Sequence, residues 1–179
     1  MSVRVVVLSD THLPARAKVL PEVLLEAIDT ADVVMHAGDW VDVATLDLLT
    51  SASRELVGVW GNNDPEPLRE RLPEVARTTV EGVRFAMVHE TGAATGRERR
   101  MDARYADDAD VLVFGHSHIP WDTVTARGLR LLNPGSPTDR RRQPVGTFLT
   151  LDVEAGALAD LRLVPVPSVA GRKADVSDA

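Results

Sequence analysis

The chain has 179 residues, a formal net charge of −7 and no cysteine, with 44% of its residues hydrophobic. That composition suits a globular chain with a real core. It excludes disulfides and thiolate metal sites, leaving histidine, aspartate, glutamate or asparagine to hold any metal, and it argues against a broad electrostatic footprint for nucleic acid.

The opening MSVRVVVLSD does not read as a secretory leader, because its apolar run is short and Asp10 and His12 stand where a cleavage site would fall. No stretch approaches the ~20 apolar residues of a membrane span, so a cytoplasmic location without membrane contact is expected. Residues 3–8 (VRVVVL) read as a buried strand, and 20–29 as a helix with Pro21 in its first turn. A short strand at 32–36, a helix at 42–52 and a strand at 55–60 follow. The segment TTVEGVRFAMVH predicts a hairpin turning at Glu81-Gly82. Residues 97–107 are charged and predict a surface helix, and VLVF at 111–114 predicts the next buried strand. Shorter β-segments are expected near 121–125, 129–132, 146–153 and 158–164. The alternation of strand and helix in the first part predicts a partly parallel sheet, and the β-rich remainder a second sheet or an antiparallel extension. One domain over 1–167 is expected, with a polar, frayed tail over 168–179.

Polar residues cluster after the apolar strands. Asp10 and His12 follow the first, Asp39 the second, Asn62 the third, His89 the second arm of the hairpin, and His116 and His118 the strand at 111–114. Residues two apart in extended chain point the same way, so His116 and His118 are expected to face one side together. Open α/β sheets bind ligands at the carboxyl ends of their strands, and these side chains can converge on one such edge. Two aspartates, one asparagine and four histidines form an O/N donor set suited to manganese, iron, zinc or nickel. Seven donors exceed one tetrahedral site and suit two ions ~3.5–4 Å apart sharing a carboxylate. A single strand-end histidine is more often structural, and His36 is read that way, as packed or hydrogen-bonded.

The motifs Asp10-Thr11-His12, Gly38-Asp39, Gly61-Asn62-Asn63-Asp64, His89 and Gly115-His116-Ser117-His118 stand in the order of the calcineurin-like metallophosphoesterase superfamily, which the chain resembles from residue 3 to about 165. Asn133-Pro134-Gly135-Ser136 is similar to the NPGS of its small YfcE-like phosphodiesterase branch, and DTHLP resembles both that branch and the retromer small subunit. The resemblance implies an α/β (α+β) fold, a four-layer αββα sandwich of two mixed sheets flanked by helices. It places one metal on Asp10, His12, Asp39 and His118 and a second on Asp39, Asn62, His89 and His116, with Asp39 bridging. It also implies attack by a metal-bound hydroxide on a small phosphodiester, with manganese first among the metals. A non-catalytic interaction scaffold of the same fold is the alternative. With 179 residues there is no room for a capping domain beside this one, so a small phosphorylated substrate is expected rather than extended nucleic acid.

The chain departs from the pattern at two places. Position 63 is asparagine where the superfamily often has histidine, and an amide cannot serve as a general acid, although it can donate a hydrogen bond to substrate. Asp64 then reads as a helix N-cap before Pro65. Position 90 is glutamate where glycine usually follows the lone histidine; it either bonds in the second shell or points to solvent. Arg140, Arg141 and Arg142 read as a solvated loop, or as arginines within reach of the substrate phosphate. Arg97, Arg99 and Arg100 carry the same two readings.

Overall fold

β1 (Ser2–Leu8) buries Val5, Val6, Val7 and Leu8 completely, so both its faces lie against apolar layers. A computed structural model describes residues 1–167, and the tail expected over 168–179 lies outside them. After β1 come α1 (Glu22–Thr30), β2 (Val33–His36), α2 (Val43–Ala52), β3 (Leu56–Gly58), α3 (Glu66–Arg69), β4 (Val75–Val80) and β5 (Val83–Val88). They are followed by α4 (Arg97–Tyr105), β6 (Val111–Phe114), β7 (Trp121–Val124), β8 (Arg130–Asn133), β9 (Gly146–Glu154) and β10 (Ala157–Val166).

The strands form two five-stranded mixed sheets, ordered β10-β9-β1-β2-β3 and β4-β5-β6-β8-β7. β1, β2 and β3 are parallel neighbours, as are β5, β6 and β8, while β9, β10, β4 and β7 run antiparallel to theirs. Alternation along β1 sends Val5 and Val7 between the sheets, with Met35, Phe85, Met87, Val113 and Leu151. It sends Val6 and Leu8 the other way, under α1, α2 and α3, with Leu24, Ile28, Leu46, Leu49 and Leu68. On the far side of the second sheet, Leu112, Phe114 and Leu131 pack with Met101 and Tyr105 of α4. Three apolar layers between four layers of structure make the αββα sandwich. No helix among the described residues is long and apolar enough to cross a membrane.

The local chemistry explains most boundaries. Glu81 (φ 44°) and Gly82 (φ 88°) occupy the two left-handed positions of the hairpin turn, where glycine is free of steric cost. The Asp42 side chain accepts from the Ala44 N–H and caps α2. Pro21 stands one place before α1 rather than in its first turn, with ψ 139°. The short α3 starts from Pro65 without a side-chain cap, so Asp64 is not the N-cap expected for it. α4 lies on the surface, but Arg97 is only 5% exposed, its guanidinium held between the rings of Phe114 and Trp121 at 4.8 and 4.6 Å. Neither a solvated loop nor a phosphate contact describes it: a cation on two aromatic faces is a packing element.

Candidate metal centre

Because β1, β2 and β3 are parallel, and β5, β6 and β8 likewise, their carboxyl ends deliver Asp10, His12, Asp39, Asn62, His89, His116 and His118 to one edge. The chain turns sharply at each exit. Asp10, His12, Asp39, His116 and His118 have φ of 56°, 46°, 61°, 68° and 56°, the left-handed region that costs a non-glycine residue ~1–2 kcal/mol each. Such strain persists where surrounding bonds over-determine the backbone. Here the Asp10 N–H donates to the Gly38 carbonyl, the His12 N–H to that of Asp39, and the His116 N–H to Asp10 Oδ2. His116 and His118 therefore do not share a side by strand alternation, as their spacing predicts. They reach one cluster from a left-handed turn, and they enter different halves of it.

The inner half is buried. His118 Nε2 lies 3.2 Å from Asp10 Oδ1 and 3.3 Å from His12 Nε2, and His12 Nε2 lies 3.4 Å from Asp39 Oδ2. In the outer half, Asn62 Oδ1 lies 3.0 Å from His89 Nε2 and 2.9 Å from His116 Nδ1, and His89 Nε2 lies 3.4 Å from Asp39 Oδ1. The two carboxylate oxygens of Asp39 thus face different halves. Gly38 and Gly61 permit this approach: a Cβ at position 61 would stand 2.2 Å from Asp39 Oδ1, and one at position 38 would stand 2.7 Å from His89 Nδ1.

The donor set is short of protons. His118 Nδ1 is 2.5 Å from the Asp139 carbonyl and His89 Nδ1 is 2.7 Å from that of Ala37. A carbonyl only accepts, so both Nδ1 atoms carry hydrogen and both Nε2 lone pairs face the cluster. Metal-binding histidines are oriented in this way. Asp10 Oδ1 is buried with no hydrogen-bond donor among the described residues, although 3.2 Å from the His118 Nε2 lone pair. Such facing lone pairs call for a cation between them. Without an ion, His89 meets the same demand for positive charge by holding a proton on Nε2, which a metal would displace. Burial pulls its ring down, but the hydrogen bond and charge of Asp39 and the charge of Asp10 outweigh it, raising the pKa to about 9. Asp39 is pushed up by burial yet held well below the usual carboxylate range by His89 and by Asn63. Burial lowers His12 despite the nearby Asp39 and Asp10 carboxylates. The pocket demands positive charge, and the residues fit divalent ions.

Support comes from residues that the spacing does not reveal. Asp64 Oδ2 accepts from the Gly61 N–H at 2.7 Å and the Asp39 N–H at 3.1 Å, and its Oδ1 from the Val41 N–H at 2.7 Å. Burial pushes its carboxyl up against those three donors. Asp64 therefore ties the Asp39 loop to the Asn62 loop, including Val41, a β-branched residue at φ 75°. Ser136 Oγ donates to the Asp10 carbonyl at 2.8 Å, and Asn133 Nδ2 to the Gly115 carbonyl at 2.9 Å, so the NPGS segment braces the exits of β1 and β6. His36 is fully buried, stacked on Trp40 at 3.6 Å, with its pKa lowered to about 3 by burial. It stands behind the cluster, as its place in the strand predicts. Asn63 donates from Nδ2 to Asp39 Oδ2 at 2.7 Å. Arg141 Nη1 reaches the His116 carbonyl at 3.4 Å, and Arg140 Nη1 the Gln143 carbonyl at 2.5 Å. Arg100 is tied to the Thr91, Ala93 and Thr95 carbonyls.

Residues 3–156 match the profile of the calcineurin-like phosphoesterase superfamily domain. The chain belongs to this superfamily. A probable metallophosphoesterase of Methanothermobacter thermautotrophicus is 37% identical over 158 residues, covering 83% of this chain and 86% of the relative. The solution NMR structure of a Thermotoga maritima protein superposes with a TM-score of 0.72 at 36% identity, over 91% of this chain and 99% of that one. Chaetomium thermophilum Vps29 shares the fold at a TM-score of 0.74 and 21% identity, over 92% of this chain and 100% of that one. As a member of the calcineurin-like phosphoesterases, the chain is a metallophosphoesterase at the general level, a hydrolase of a family that uses divalent metals.

Proposed function

We propose that this metallophosphoesterase is a dinuclear phosphodiesterase acting on small phosphodiesters. The observation that carries the reading is the split of Asp39 between two halves of one cluster, each with its own proton-poor donors. Asp10, His12, Asp39 and His118 would hold one ion, and Asp39, Asn62, His89 and His116 the other; the O/N donor set suits manganese, iron, nickel or zinc, and manganese is put first on the resemblance. When bound, two divalent ions neutralise charge on the phosphoryl oxygens and acidify a water to near neutral pH. The chain's own part is positioning. The Asp139 and Ala37 carbonyls fix the ring orientation of His118 and His89, and Asp64 fixes the backbone of Asp39.

A cleft of about 260 Å³ opens beside Asn62 and His89, and one of about 170 Å³ beside His118, lined by Arg140, Arg141 and Arg142. Both are below or near the ~300 Å³ lower end of small-molecule pockets, which favours small substituents on the phosphate. Arg140 and Arg141, which line the smaller cleft, would meet an anionic part of the substrate there. Asn63, whose Nδ2 donates to Asp39 Oδ2, would turn its amide hydrogen to the phosphate once ions occupied Asp39. A scaffold role on this fold is the competing reading; the retention of all seven donors favours catalysis.

The deciding experiment is a panel of phosphomonoesters, aryl phosphodiesters and cyclic nucleotides, assayed with manganese, nickel, zinc and magnesium. Metal-dependent turnover with kcat/KM highest on a small diester is expected, and abolished in Asp39→Asn. No turnover on any substrate with any metal would overturn the reading in favour of the scaffold.

A further inference from the structure

The outer half of the cluster holds one carboxylate that the ligand sets above do not use. Glu90 Oε1 lies 3.9 Å from His116 Nδ1, and donor atoms of His89, Glu90 and His116 all fall within 4.8 Å of one another. A single ion can span such a group. The two halves also differ in exposure. Asp10, His12 and His118 are buried, whereas the side chains of His116 and Glu90 are 49% and 52% exposed. Formal charge differs as well. In the ligand sets above the inner half uses Asp10 and shares Asp39, whereas the outer half uses only its share of Asp39, since Asn62, His89 and His116 are neutral donors; Asp10 also stands within 4.8 Å of the His89 and Asp39 donor atoms.

We propose that Glu90 is the outer ion's own carboxylate ligand, placing a third anion in the centre and selecting a hard, oxygen-preferring divalent cation there. The proposal rests on the dinuclear reading above. With Glu90 the outer donors become three oxygens and two imidazole nitrogens, a set shifted toward manganese or magnesium and away from ions that prefer nitrogen. Each half then has one private carboxylate and a share of Asp39, so three negative charges face four positive ones. The residual positive charge is small, which suits a monoanionic diester better than a dianionic monoester. Solvent exposure of Glu90 lets this ligand swing away, so the outer ion is the exchangeable one of the pair.

Calorimetric titration of metal-free protein with Mn²⁺ alone tests this, without reference to turnover. Wild type is expected to show a tight and a weaker site. Glu90→Gln is expected to weaken the second by at least the ~10–100-fold that loss of a partner around a metal costs, leaving the first unchanged. Zn²⁺ is expected to lose less than Mn²⁺ in the same variant. Glu74→Gln is the charge control: Glu74 lines the same 260 Å³ cleft but stands outside the donor group, and its removal is expected to leave both sites intact. Unchanged Mn²⁺ affinities in Glu90→Gln, or equal losses in the two variants, would overturn the role of Glu90. Fewer than two ions in wild type would instead overturn the dinuclear reading itself.

Discussion

Replacing Asp64 with alanine should unfold the protein's loops before it touches a metal ligand. The side chain accepts three backbone N–H groups, from Asp39, Val41 and Gly61. A buried donor left without a partner costs ~1–3 kcal/mol. Val41 is half-buried and recovers a bond to water, while Asp39 and Gly61 are buried and do not. Two uncompensated donors give ~2–6 kcal/mol, centred near 4 kcal/mol, a large part of the ~5–15 kcal/mol that stabilises a typical domain. With a urea dependence of ~2 kcal/mol per molar, the unfolding midpoint should fall by about 2 M. Tryptophan fluorescence of chelator-treated protein reads that shift free of any metal contribution. Asp64→Asn keeps one acceptor and should lose about half as much. A midpoint lowered by less than ~0.5 M in Asp64→Ala would show that the Asp39 and Asn62 loops hold their strained backbone without this carboxylate.

His36 should stay neutral across the ordinary working range. Its unfolded ring takes up a proton near 6.5 and its folded ring near 3, so the unfolded chain binds more protons between those values. Its contribution to stability is therefore present above pH 6.5 and lost as pH falls through that window; NMR should show ring shifts that are flat from pH 5 to 8, and a titration there would contradict the burial. Asn63 offers no proton to a departing alkoxide, and a positioned general acid is worth ~10²–10⁴-fold. Rates on a series of aryl phosphodiesters should fall steeply as the leaving-group pKa rises, and a shallow slope with chemistry rate-limiting would mean that another group supplies the proton.

Much of the fold is legible in strand-length apolar runs, because β1 and β6 are buried on both faces and need continuous hydrophobic sequence. The Glu81-Gly82 turn is legible for a local reason, since its two left-handed positions are set within the hairpin. The convergence of the seven candidate donors on one edge is legible because each follows a short apolar strand. What the sequence hides is tertiary. Asp64 looks like a helix cap beside Pro65, but its partners include Asp39 and Val41, more than twenty residues away. Arg97 looks like one of several surface arginines until Phe114 and Trp121 close on it from another sheet position. The orientation of His116 and His118 depends on left-handed backbone at both residues, which no two-residue periodicity encodes. Glu90 is visible only as a residue next to a histidine; its distance to His116 comes from the pairing of β5 with β6.

The most direct test of the metal centre is the number of ions bound per chain. Protein purified without chelator and reloaded with Mn²⁺ should carry two ions per chain by elemental analysis, with an electron paramagnetic resonance signal of two coupled Mn²⁺ ions. Saturation at one ion, or none, would contradict a centre built across the two oxygens of Asp39.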